Sequence, residues 1–164
     1  MNIKRLLRHY SMPSWWVRRA FPAPAMKRIE EAIRMCERTH SAELRFAVES
    51  ALSTTALLRG QSARERALEV FSALRVWDTE HNNGVLIYLL LADRNVEIVA
   101  DRGVHANVGA PEWDRICRTM ENHFREERFE DGAIAGIQAI GALLTRHYPG
   151  PHRVNQLPDA PVIL

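Results

Sequence analysis

The sequence predicts an α/β protein: a three-layer α/β/α sandwich on a small mixed sheet, with strands near 42–49, 84–92 and 95–101. Three observations predict it. The run Val85-Leu86-Ile87-Tyr88-Leu89-Leu90-Leu91 is apolar without a break, so both faces of that strand are expected to be buried. After the polar turn Ala92-Asp93-Arg94-Asn95, Val96, Ile98 and Ala100 alternate with Glu97, Val99 and Asp101, the pattern of a hairpin partner with one wetter face. A helical pattern lies between the first strand and the apolar one, as a crossover between parallel strands requires. A short chain that buries a strand on both faces must cover its sheet with helices.

The elements follow in order. Residues 1–22 read as a basic amphipathic leader. Ile3, Leu6, Leu7 and Tyr10 sit at helical spacing with Lys4, Arg5, Arg8 and His9 between them; after Met12-Pro13-Ser14 comes Trp15-Trp16-Val17-Arg18-Arg19-Ala20-Phe21. Three readings of the leader stand side by side. It is an interfacial anchor, with aromatics at headgroup level and Arg and Lys on anionic lipid; or an arm whose tryptophans pack onto the domain; or an organelle transit peptide, being Arg-rich and free of acids. Residues 23–148 read as a single domain. Pro24 falls in the first turn of a helix whose apolar face is Met26, Ile29, Ile33 and Cys36. In the first strand Leu44, Phe46 and Val48 are expected inward, Arg45 and Glu49 outward.

Ser62 and Glu65 make a capping box for the crossover helix, with Ala67, Val70, Phe71, Leu74 and Trp77 on its apolar face. The segment Arg102 to Ala110 reads as a loop or a short fourth strand. Pro111 opens a helix with Trp113, Ile116, Cys117, Met120 and Phe124 on one face. The last helix starts near Phe129 to Asp131, and Gly132, Gly136, Ala139 and Ala142 give it a narrow surface for close approach to the sheet. Residues 149–164, with four prolines, are expected to be an extended or disordered tail.

Composition excludes several classes. At 164 residues, with 46% hydrophobic and 26% charged residues, the chain suits one soluble globule with one good core. No run of 18 apolar residues exists, so no ordinary transmembrane helix is expected. Of the 22 Lys and Arg residues, seven precede the first acid, Glu30, leaving 15 against 20 acidic residues in the rest. A neutral-to-acidic domain thus carries a basic leader. Cys36 and Cys117 fall on apolar helix faces and read as core residues in a reducing compartment. The location expected is cytoplasmic, peripheral to a membrane. No nucleic-acid partner is expected, since the folded part lacks a clustered basic and aromatic face. A serine-nucleophile elbow, a phosphate loop and a dinucleotide fingerprint are all absent.

Two polar groupings remain. Asp93 and Arg94 sit in the hairpin turn, where an aspartate ordinarily serves backbone N–H groups; a ligand role is the alternative. Asp93 and Asp101 lie at opposite ends of the third strand, more than ~20 Å apart, and cannot share a metal. The other end gathers Asp78, Glu80, His81, Asn82, Asp101 and His105 on one rim. Its oxygens suit Ca2+ or Mg2+, with Asp78, Asn82, Asp101 and His105 as candidate ligands. The competing reading is a solvated polar rim.

Several stretches together carry a resemblance: Thr79 with Asn82-Asn83-Gly84-Val85-Leu86-Ile87, then Asp93-Arg94, Val96-Glu97-Ile98 and Gly103, then Phe124 through Ile134 with Gly136 and Ile140. Over about 40–147 the chain resembles the TPM domain family, which includes bacterial YgcG-like proteins and plant thylakoid lumen proteins. The resemblance implies an α/β/α sandwich. It also implies either an accessory role in maintaining membrane complexes or divalent-cation binding with acid phosphatase activity. The chain departs from the family in its Asp101-Arg102-Gly103-Val104-His105-Ala106 segment, where the usual glycine-aromatic-glycine-leucine-glutamate run is missing. The leading expectation is a non-catalytic interaction module that meets a protein partner or a membrane surface through residues 1–21. The alternative is a divalent-cation-dependent phosphatase at the Asp78, Asp101 and His105 rim.

Overall fold

Strands β1 (Glu43–Glu49), β2 (Gly84–Leu90), β3 (Asn95–Ala100) and β4 (Val162–Ile163) form one open mixed sheet in the order β3-β2-β1-β4. The structure, a computed structural model, describes residues 3–150 and 154–164; Met1 and Asn2 of the expected leader and 151–153 of the expected tail lie outside the described residues. β1 runs parallel to β2 and β4, and β2 pairs antiparallel with β3. Helix α5 (Ala63–Ala73) makes the crossover between β1 and β2, capped as the sequence predicts by Ser62 Oγ on the Glu65 N–H and Glu65 Oε2 on the Ser62 N–H.

Two cores flank the sheet. Leu44, Phe46, Val48, Val85, Ile87 and Leu89 join a large core with α3 (Ala23–Cys36), α7 (Ala110–Arg125) and α8 (Phe129–His147). Ala47, Leu86, Tyr88 and Leu90 face Ala63, Ala67 and Val70 of α5. Every residue of β2 is buried, as its unbroken apolar run requires. This is the predicted three-layer sandwich.

The sequence expectations need correction in several places. Both faces of β1 are buried, so Arg45 and Glu49 do not point into water. Arg102–Val108 is neither loop nor strand but a helix, α6, closed by Gly109 at φ +87°. The small residues of α8 meet neighbouring helices rather than the sheet: a Cβ at Gly136 would lie 2.2 Å from Met120 Sδ, and one at Gly141 the same distance from Cys36 Sγ. Trp77 lies beyond the end of α5 and is half exposed, under the Arg75 guanidinium. Cys36 and Cys117 are free thiols, and burial pushes both up to about 12.

The tail is extended and pinned. Both Glu43 carboxylate oxygens accept backbone N–H groups, from Gln156 and Leu157 at 3.1 Å each, and Arg45 donates to the Pro158 and Ala160 carbonyls. These four bonds hold the chain where β4 joins β1. Asp159 comes to rest beside the buried Glu37, whose Oε1 accepts the Leu44 N–H at 2.7 Å. Burial pushes the Glu37 carboxyl up to about 8, the Leu44 N–H opposes the shift, and the neighbouring acids Glu43 and Asp159 add to it.

The folded state therefore holds this proton more tightly than the unfolded chain. The stability it brings is complete below pH ~4.5 and drains away as pH rises through about 8. Glu37→Gln keeps the same shape and hydrogen bonds without a charge. The variant is expected to lose this part of the pH dependence and to exceed the parent by about 2–4 kcal/mol above pH 8. Urea unfolding at pH 5 and pH 9 checks it; equal slopes with pH for the two proteins would contradict it.

Candidate interaction surface

Helix α1 (Ile3–Tyr10) lies against the C-terminal ends of the central strands, over the turn that carries Asp93. Three side chains of the leader converge on that carboxylate. Arg5 Nε donates to Oδ2 at 2.9 Å, Arg8 Nη2 donates to Oδ1 at 3.0 Å, and His9 Nε2 lies 3.2 Å from Oδ1. Arg5 also donates to the Gln61 carbonyl at 2.8 Å. Tyr10 Oη and Thr54 Oγ1 share a hydrogen bond at 3.1 Å.

His9 Nδ1 accepts the Leu52 backbone N–H at 3.0 Å, so the ring proton sits on Nε2, facing Asp93. Burial pulls the His9 pKa below the usual imidazole value; Asp93 opposes this, and Arg5 and Arg8 add to it. Asp93, expected to serve the turn's own backbone, is instead the anchor of the leader.

This docking leaves three of the four apolar residues of α1 outward, with Leu6 half-buried. Ile3, Leu7 and Tyr10 recur at positions i, i+4 and i+7 and so share one face. A surface helix normally buries such a face. Here the polar Arg5 and His9 point inward, while Ile3, Leu7 and Tyr10 are 62%, 63% and 65% exposed. Lys4 and Arg8 are exposed beside them.

The second half of the leader, helix α2 (Trp15–Ala20), packs conventionally. Val17 and Ala20 are buried, and Phe21 sits among Phe46, Phe124 and Phe129. Trp16 lies edge-on to Phe129 under the Arg19 guanidinium. Trp15 stays exposed, as do Arg18 and Arg19. So one tryptophan of the pair packs onto the domain and the other does not.

At the opposite end of the sheet the predicted rim residues serve local structure. Asp101 Oδ2 accepts the Gly84 N–H at 2.8 Å, and burial raises its carboxyl against that bond. Asp78 pairs with Arg75. Asn82 takes the left-handed conformation, φ 49°, that turns the chain into β2. The Glu80 N–H is held by Gln156 Oε1 at 2.8 Å, His81 is exposed, and His105 sits exposed on α6. Among the described residues no three His, Cys, Asp or Glu side chains are grouped to hold a metal ion. Such a donor set does not fit the six or more oxygens of a calcium or magnesium shell.

A cleft of about 570 Å³ opens at the end of β1, between α5 and the short helix α4 (Thr54–Leu58). Its floor is a network the sequence did not announce. Glu49 accepts the Tyr88 O–H at 2.6 Å and two bonds from Arg66, and Glu69 accepts from Arg66 and Gln61. Crevices at the carboxyl ends of parallel strands are favoured binding places in α/β folds. Here the floor's acids and Arg66 are already matched to each other, and its role is to tie β1, β2 and α5 together.

Sequence reasoning missed the link between the leader and Asp93, and no local signal could have found it, because the partners stand 85 and 88 residues apart.

Known proteins place this architecture. The BA42 protein of the psychrophilic bacterium Bizionia argentinensis, solved by NMR, is similar over 88% of this chain and 95% of its own, with 28% identity and a TM-score of 0.77. The N-terminal domain of a protein from P. gingivalis shares the fold at 18% identity and a TM-score of 0.62, over 88% and 96% of the two chains. Among curated proteins none matches. The family model of the TPM domain matches residues 20–143, from the end of α2 into α8, and the chain belongs to the TPM domain family.

Proposed function

We propose that this protein is a non-catalytic interaction module that attaches to an anionic membrane surface through its leader. One observation carries the reading: α1 is pinned to the domain by Arg5, Arg8 and His9 and offers Ile3, Leu7 and Tyr10 to the outside, with Leu6 half-buried. Exposing Ile3, Leu7 and Tyr10 in water forgoes the burial free energy that an amphipathic helix ordinarily gains, about 1.5–3 kcal/mol for each fully buried large side chain. A bilayer interface recovers part of it. Trp15 and Tyr10 suit headgroup depth, and the exposed Lys4, Arg18 and Arg19 suit anionic lipid at about 1 kcal/mol each. No helix among the described residues is long and apolar enough to cross a membrane, so attachment of this kind is peripheral. A metal-dependent phosphatase at the Asp78, Asp101 and His105 rim draws no support from a rim whose Asp78 pairs with Arg75 and whose Asp101 holds the Gly84 N–H.

The test is co-sedimentation of the full chain with phosphatidylcholine vesicles, with and without phosphatidylglycerol. The protein is expected to pellet with the anionic vesicles, less so at high salt. Ile3→Ser with Leu7→Ser is expected to weaken binding tenfold or more, with thermal stability unchanged because both side chains are already in water. A parent protein that stays in the supernatant with both vesicle types would contradict the proposal.

A further inference from the structure

We infer that the surface meeting the membrane is a platform of two helices, in which α4 of the folded domain supplies Leu58 beside the leader. The inference rests on the membrane reading above and adds to it where the contact ends and how the domain is held.

The leader runs antiparallel along residues 52–61. Near one end Tyr10 bonds Thr54 and His9 takes the Leu52 N–H; near the other Arg5 bonds the Gln61 carbonyl. Leu7 on the leader and Leu58 on the 52–61 segment both fall between these fixed points. The two flanks of α4 are distinct. Thr55, Ala56 and Arg59 line the cleft toward α5, and Ala56 and Leu57 pack against the smaller core. Thr54 faces α1, and Leu58, four residues on, lies one turn along the same flank.

On that flank a leucine would be expected to be buried under the neighbouring helix. Leu58 is instead 61% exposed, as Leu7 is at 63%. Ile3, Leu7 and Tyr10 of α1 and Leu58 of α4 thus belong to two adjoining helices and extend one apolar surface. Exposed Lys4 accompanies them, with Arg8 bonded to Asp93 on its inner side and Arg59 at the cleft edge, and there is no acid among the exposed residues of either helix. The charge selects an anionic lipid surface as the occupant.

A platform of this kind has a consequence that a loose anchor lacks. Arg5, Arg8 and His9 hold α1 to Asp93, so the domain sits on the bilayer in one orientation. The carboxyl ends of β1 and β2 then point at the membrane, and the Glu49–Arg66 cleft opens on the far flank of α4.

The experiment uses the full chain with three single variants, and vesicles of phosphatidylcholine and phosphatidylglycerol in equal parts. Leu58→Ser is expected to weaken binding three- to tenfold, as Leu7→Ser does. Leu68→Ser, which alters a half-exposed leucine of α5, is expected to leave it unchanged. Thermal unfolding of each variant confirms that the fold is intact. Leu58→Ser binding as the parent does, while Leu7→Ser loses affinity, would overturn the platform and leave attachment by the leader standing. Equal losses in Leu58→Ser and Leu68→Ser would also overturn it. A parent chain that fails to bind removes both.

Discussion

Asp93→Ala is expected to release α1 from the domain. Asp93 is 13% exposed and is the one acid among the three bases of the leader, so its loss leaves the buried His9 and the mostly buried Arg5 facing an apolar side chain. Breaking a buried pair from one side costs about 3–5 kcal/mol, whereas the exposed Arg8 contact is worth little. With Arg5 and His9 still bonded to Gln61 and Leu52, the net loss in docking is about 2–3 kcal/mol. The readout is local: trypsin is expected to cut after Arg5 and Arg8 roughly a hundredfold faster, while the thermal transition of the domain moves little. Cleavage at the parent rate would show that α1 is held by something other than this carboxylate. The variant also bears on the platform, because a released α1 can still meet lipid but no longer orients the domain.

Gly84→Ala is expected to have the largest effect on stability. Gly84 opens β2 where the chain passes under the residues that follow α5. A Cβ there would lie 2.0 Å from the Val76 carbonyl oxygen, a backbone atom with no rotamer to move aside. The same glycine donates its N–H to Asp101 and accepts the Asp101 N–H at its carbonyl, so displacing it disturbs the start of the β2–β3 pairing. Overpacking of this kind costs about 3 kcal/mol or more, which lowers the melting temperature by roughly 10 °C for a chain of this size. Circular dichroism melts of the two proteins check this. An unchanged melting temperature would mean that Val76 and its neighbours yield freely.

These two positions also show what the sequence could and could not say. The asparagine-glycine step into an apolar run marked the start of β2, and the Ser62–Glu65 box marked the start of α5, because both signals are local. α6 was illegible: Gly103, Val104, Asn107 and Val108 are poor helix formers, and the helix is supported by distant contacts such as Asn107 to the Tyr148 hydroxyl. β4 was illegible because two residues after a proline carry no strand signal, and Glu43 and Arg45 pin that segment from more than a hundred residues away.

The leader was half legible. Its period announces a helix but leaves open which way the apolar residues face. Ile3, Leu7 and Tyr10 face outward because charge, not apolar area, docks the helix, and the opposing charge is an aspartate that local reasoning assigns to a hairpin turn. Leu58 drew no notice for a similar reason. The pair Leu57-Leu58 in so short a helix shows no period, and the flank on which Leu58 lies follows only from Thr54, one turn before it, bonding the leader.

The central claim is that the outward side of the leader meets lipid, and Trp15 reports on it most directly. Trp15 is exposed at 58%, whereas Trp16 packs on Phe129 and Trp113 is buried. The decisive measurement is tryptophan emission of the full chain and of Trp15→Phe with anionic vesicles carrying brominated acyl chains. The account predicts a blue shift and quenching in the parent, both largely lost in the variant. Emission unchanged by vesicles in the parent, or quenched equally in the two proteins, would contradict it.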